Sequence, residues 1–226
     1  MTRIAGIIFT LLFAVNLFGQ ERYLRPIDEG RADAGFAAFR AKLIDAVERR
    51  DEKYVLSIVD RDIRVTFGDN HGLADFKQMW KLSDLNDRFW TEILVILNGG
   101  GKFERTGKGR AVRTQFWAPY VFAAYPEDLD PFDTTAITGE NVNLRKRPDK
   151  AGAIVARLSY NLVKVDHARS VPGPTPESEP AWFHVETFGG KKGYVLSEFT
   201  RSPVGLRAGF TKKQGKWKLT TLIAGD

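Results

Sequence analysis

The sequence predicts an α+β protein, and three observations carry that expectation. Apolar residues recur at helical spacing in several stretches between residues 36 and 97, short strands separated by turns begin at Ile137, and residues 205–223 read as a terminal hairpin. The 226 residues include 34 Lys plus Arg, 28 Asp plus Glu and no cysteine. That length holds one large domain or two small ones, and 43% hydrophobic with 27% charged residues is ordinary globular composition. Without cysteine there is no disulfide scaffold, thiolate zinc site, cysteine nucleophile or lipid anchor on an N-terminal cysteine. The net charge of +6 hints at anionic partners and decides nothing alone.

Residues 1–20 read as a secretory signal peptide. Arg3 precedes an uncharged run from Ile4 to Phe18, which is short for a transmembrane helix, and Gly19 suits a cleavage site near Gly19 or Gln20. An uncleaved N-terminal anchor is the competing reading. Cleavage would remove only Arg3 among charged residues and leave +5. No later stretch is apolar enough to span a membrane, so the mature protein is expected outside the cytoplasm, periplasmic or secreted.

Residues 21–35 are polar, contain Pro26 and Gly30, and are expected to form a mobile leader. Phe36, Phe39, Leu43, Ile44 and Val47 then mark a helix whose outer face would carry Arg40, Lys42, Asp45 and Arg49. A short helix with Tyr54, Val55 and Ile58 follows, and the alternation of Ile63, Val65 and Phe67 predicts a half-buried strand. After the turn at Gly68–Gly72 come a helix with Leu73, Phe76, Met79 and Trp80 and another with Phe89 to Leu97, stopped by Gly99, Gly100 and Gly101. A basic stretch, Lys102 to Arg113, leads to aromatic residues 116–125, and the acidic, proline-punctuated residues 126–133 read as a linker.

Residues 137–201 carry the most specific pattern. Val142-Asn143-Leu144-Arg145 precedes Pro148, a strand pair around Ile154–Leu158 and Leu162–Val165 follows, then Trp182-Phe183-His184-Val185 and Gly193-Tyr194-Val195. This order resembles the bacterial SH3-like domain, a small all-β barrel. Asn161 stands where that family has a turn glycine, and Asn tolerates the left-handed conformation best. The departure is His167 to Pro180, a long polar loop with four prolines that puts the family's usual binding surface in doubt.

The terminal hairpin with Gly215-Lys216-Trp217-Lys218-Leu219 is not stable alone. The order of elements faintly resembles the nuclear-transport-factor-2-like α+β cone, with residues 36–130 and 203–226 forming one split domain that carries the SH3-like module as an insert. A separate α+β domain followed by a barrel is the other arrangement.

The three histidines, His71, His167 and His184, lack metal-ligand spacing, no G-x-S-x-G elbow occurs, and Glu127, Asp128, Asp130 and Asp133 fit no calcium loop. No metal, cofactor or catalytic residue is assigned. Tyr54, Asp60, Asp62 and Tyr120 are the acid–base candidates a cone reading would name, with turn and cap roles the commoner fate of Asp60 and Asp62. The basic stretch and Lys212, Lys213, Lys216 and Lys218 match no base-reading motif, so an anionic envelope surface is a more available partner than nucleic acid.

The SH3-like resemblance implies an exported, non-catalytic module that recognises a cell-wall peptide, an envelope polymer or an envelope protein. Tyr160, Trp182, Phe183 and Tyr194 are its expected ligand-binding residues, although Trp182 equally suits a plug in the barrel core. The competing function is a small-molecule or enzymatic pocket in the cone, with the SH3-like insert as lid or docking arm.

Overall fold

The computed structural model describes residues 19–69, 71–107, 113–175 and 178–225; the predicted signal peptide lies almost wholly outside them. The N-terminal half is helical where the periodicity requires it. Helix α1 spans Ala34–Glu48 and α2 Glu52–Ile58, each started by an aspartate: Asp33 accepts from the Phe36 N–H at 2.7 Å and Asp51 from the Tyr54 N–H at 2.9 Å. Helix α2 runs directly into β1 (Val59–Arg64), and α3 (Leu73–Met79) and α4 (Phe89–Asn98) follow. Strands β2 (Lys102–Thr106) and β3 (Arg113–Ala118) and the short helix α5 (Tyr120–Ala123) complete this part.

The second half is strand after strand. These are β4 (Thr134–Ile137), β5 (Val142–Arg145), β6 (Ile154–Leu158), β7 (Leu162–Val171), β8 (Trp182–Thr187), β9 (Lys192–Leu196) and β10 (Thr200–Arg201). The terminal hairpin is β11 (Arg207–Lys213) and β12 (Lys216–Ile223).

Two sheets result, and the molecule is α+β as predicted. One has five strands in the order β1-β12-β11-β3-β2; β12 lies parallel to β1, and β11 pairs antiparallel with β3. The hairpin therefore builds the middle of the sheet begun by residues 59–118. Helices α1, α2 and α4 cover it, and Phe36, Phe116, Phe210 and Trp217 meet in its core with the Phe36 ring centroid 4.2 to 5.8 Å from the other three. The other sheet has seven antiparallel strands in the order β10-β4-β7-β8-β9-β5-β6 and is open, since among the described residues β10 pairs only with β4 and β6 only with β5. Its own core joins Ile137, Val142, Leu144, Leu158, Val163, Phe183, Val185 and Val195.

Five expectations are corrected. Residues 21–31 are packed, not mobile. Leu24 is buried with Tyr120, Val121, Ala136 and Leu162, its N–H donates to the Tyr160 carbonyl at 2.8 Å, and Arg22 forms a two-pronged ion pair with Asp128 at 2.8 and 2.9 Å. The same segment then reaches the first unit, where Asp28 bridges to Gly101. Gly101 permits this close approach: at φ 157° it lies so near the Trp117 carbonyl that a Cβ would stand 2.0 Å from the oxygen.

Arg40, expected on the outer face of α1, is buried, because Asp28 takes its guanidinium at 2.7 and 2.8 Å. The strand expected through Phe67 ends at Arg64; Phe67 is 42% exposed and carries the Arg64 and Arg207 guanidinium groups over its ring. The loop expected from His167 begins only after Val171, since β7 continues to that residue. The linker, residues 126–133, is a folded turn whose Asp130 carboxylate accepts from the Phe132 N–H at 2.8 Å.

Candidate functional site

The open ends of the two units meet around β10 and the return segment 202–206. Arg201, the last residue of β10, pairs with Ala136 and points its Nη2 at the Leu206 carbonyl, 2.8 Å away. Its Nε is buried with no hydrogen-bond partner, and among the described residues no carboxylate comes within ion-pair distance of it. Burial pushes the Arg201 pKa below its ordinary value; Glu92 and Glu179 pull the other way from longer range. A guanidinium desolvated without a carboxylate is costly unless something else satisfies it.

Two clefts flank this side chain and share Glu198, Thr200 and Arg201. One, of about 570 Å³, is walled by Pro26 and Ile27 of the N-terminal segment, Val95 and Asn98 of α4, and Tyr120. The other, of about 640 Å³, is walled by Arg88, Glu92, Glu179, Phe183, Ser202 and Val204. Both lie in the size range of small-ligand and peptide sites. Arg88 is exposed, with its guanidinium 5.0 Å from the Trp80 ring centroid, so the second cleft holds cations at two points.

The structure separates the four residues expected to bind ligand. Trp182 and Tyr194 share one face of the β8–β9 ladder, where Trp182 lies opposite Leu196 and His184 opposite Tyr194. The His184 and Tyr194 rings stand edge to face at 4.9 Å. His184 Nδ1 lies 3.5 Å from Asp166 Oδ2 and makes no hydrogen bond among the described residues. Phe183 points to the opposite face, into the core, and its edge lines the second cleft. Tyr160 sits at the β6–β7 turn with φ 58°, holding the N-terminal segment through its carbonyl. Only Phe183 of the four therefore reaches the cleft around Arg201.

The acid–base candidates are placed apart as well. Asp60 is buried and accepts from Lys213 Nζ at 2.8 Å and from the Asp62 N–H at 2.9 Å. Burial raises its pKa, and Lys213 and the backbone hydrogen bond outweigh that, so the carboxyl sits below the usual carboxylate range. Asp62 faces solvent beside Arg61. Burial raises the pKa of half-buried Tyr54 and pushes Tyr120 up to about 12; among the described residues the Tyr120 hydroxyl has no hydrogen-bond partner. Of the basic residues, Lys213 and Lys218 are engaged by Asp60 and the Ser57 carbonyl, and residues 108–112 lie outside the described residues.

Sequence reasoning missed Arg201, Arg88, Glu92 and Glu179. They come from three segments distant in the chain, and nothing periodic links them. Comparison of the chain with protein-family models, with curated proteins and with solved structures finds no match in any of the three.

Proposed function

We propose that this is an exported, non-catalytic binding protein, in which an SH3-like module joined to a cone-like α+β domain takes a carboxylate-bearing envelope peptide into the cleft at their junction. The observation that carries the reading is Arg201, a desolvated guanidinium with an unpartnered Nε between two clefts. A ligand carboxylate is the natural fork-to-fork partner for it. The motif segments Val142–Arg145 (β5), Trp182–Thr187 (β8) and Lys192–Leu196 (β9) lie side by side in the order β8-β9-β5 around one core, which supports the SH3-like reading of residues 137–201. The pairing of β12 with β1 and of β11 with β3 supports the split arrangement of residues 36–130 with 203–226.

Packing counts against a pocket inside the cone. Phe36, Phe103, Phe116, Phe210 and Trp217 fill the space between α1 and the sheet with rings in mutual contact. Export rests on residues 1–20; among the described residues, no helix is long and apolar enough to cross a membrane.

Sedimentation with purified peptidoglycan, followed by calorimetric titration of stem peptides with free or amidated carboxylates, tests the proposal. Wild type binds the free-carboxylate peptides, and Arg201→Met weakens binding by roughly tenfold or more, the scale of one lost charged hydrogen-bonded pair. Equal binding by Arg201→Met and wild type, or by amidated and free peptides, removes the cleft as the site. Loss of binding in Tyr194→Ala with Arg201→Met unaffected would move it to the Trp182–Tyr194 face.

A further inference from the structure

Strand β6 ends the seven-stranded sheet, and its outer edge carries no backbone hydrogen bond among the described residues. Ile154 and Val155 on this edge are 47% and 45% exposed; Leu144 faces Ala156 and Arg145 faces Ile154, so Val155 is the extra residue of a bulge within the strand. Around them stands a concentration of positive charge. The β5–β6 hairpin contains Arg145, Lys146, Arg147, Lys150 and Arg157 against one acid, Asp149. Arg145 is held by the Gly152 carbonyl at 2.7 Å, and the Asp149 carboxylate accepts from the Ala151 N–H at 2.9 Å. Lys146, Arg147, Lys150 and Arg157 are exposed and have no ion partner among the described residues.

We infer that β6 is a docking edge for an extended acidic segment of a partner protein, which adds to the sheet as an eighth strand. Three features select that occupant. Unpaired main-chain N–H and C=O groups give an added strand its ladder. Four free cations attract carboxylates and speed encounter. Two adjacent aliphatic side chains offer apolar contact that a phosphate polymer cannot use. Charge and irregularity are also the means by which an edge strand is kept from pairing, but an edge that is only protected has no use for two exposed β-branched residues.

Fluorescence anisotropy with a short peptide of alternating aspartate and valine tests this. The controls are the same peptide N-methylated at alternate amides and linear polyphosphate of equal charge. The unmodified peptide binds saturably and slows amide exchange across residues 154–158. N-methylation weakens it by roughly tenfold or more, as removal of ladder hydrogen bonds requires. Arg157→Glu and Lys150→Glu, both on exposed side chains, weaken it similarly while far-UV circular dichroism stays unchanged. Absence of saturable binding, equal affinity for the N-methylated peptide, or tighter binding of polyphosphate overturns the inference; the last would make the hairpin a general polyanion site.

Discussion

Asp28→Ala should be among the most damaging single changes outside the aromatic core, although its position lies in a polar N-terminal segment. The carboxylate binds Arg40 through both oxygens at 2.7 and 2.8 Å and Arg31 Nε at 2.9 Å. The Arg31 side chain is 84% exposed and contributes little. Arg40 is different: its side chain is 10% exposed, and its guanidinium lies 5.7 and 5.9 Å from the Phe36 and Phe116 ring centroids. Removing Asp28 strands a buried cation among these rings. Breaking such a pair from one side costs about 3–5 kcal/mol, and the 17% exposure of Asp28 admits some water, so about 3 kcal/mol is expected.

For a chain of this length that lowers Tm by about 6–12 °C. Urea denaturation of Asp28→Ala, Arg40→Met and the double variant measures it. The double variant should be more stable than Asp28→Ala alone, because no stranded charge remains. A loss below about 1 kcal/mol for Asp28→Ala, or simple additivity in the double variant, would refute the reasoning.

The pH dependence has a fixed sign. Burial raises the Asp28 pKa, and Arg40, then Arg31, lower it by more, so the folded-state value lies below the unfolded one. The contribution to stability is therefore complete above the unfolded carboxylate value of about 3.9 and is lost as pH falls below it toward the folded value. Asp60 beside Lys213 loses its contribution in the same window.

Tyr120→Phe should leave stability unchanged or raise it by about 1 kcal/mol, because the hydroxyl it removes is buried without a partner. Chemical denaturation checks it, and a loss above about 1 kcal/mol would reveal a hydrogen bond to that hydroxyl. Deleting residues 203–226 removes Phe210, Trp217, Leu219 and Leu222 from the first core, takes away β12, the strand that β1 pairs with, and leaves β3 unpaired on one side. The helical unit should then lose its near-ultraviolet circular dichroism and cooperative unfolding; retention of both would mean that residues 36–130 fold without the hairpin.

The helices were legible in the sequence because their signal is local. Phe36, Leu43 and Val47 lie on one stripe, and Asp33 and Asp51 stand at the cap positions of α1 and α2. Arg40 was misplaced by the same logic, since residue type alone sends an arginine outward and its partner lies twelve positions upstream. The packing of the N-terminal segment was illegible for a different reason. Tyr23 bridges Asn161 and Asp28 bridges Gly101 through the backbone, which any residue type can do. The cleft was hidden because Arg88, at the start of α4, Glu179, in the loop after β7, and Arg201, on β10, belong to no common period and meet only in the folded chain.

The position of the cleft follows from how the chain divides its apolar residues. Each sheet closes its own core, the first with Phe36, Phe116, Phe210 and Trp217, the second with Leu144, Phe183, Val185 and Val195. A third, smaller cluster, Leu24 with Tyr120, Val121, Ala136 and Leu162, lies where the N-terminal segment crosses between them. Beyond that cluster the seam is lined by apolar and polar groups alike, Ile27, Val95, Phe183 and Val204 beside Arg88, Glu92, Glu198 and Arg201. Arg201 sits in that seam with one hydrogen bond, to the Leu206 carbonyl, and among the described residues no carboxylate at ion-pair distance. Leucine or methionine would hold the two units together without burying a charge, and the proposed binding of a carboxylate in the cleft is what would give the guanidinium a use there.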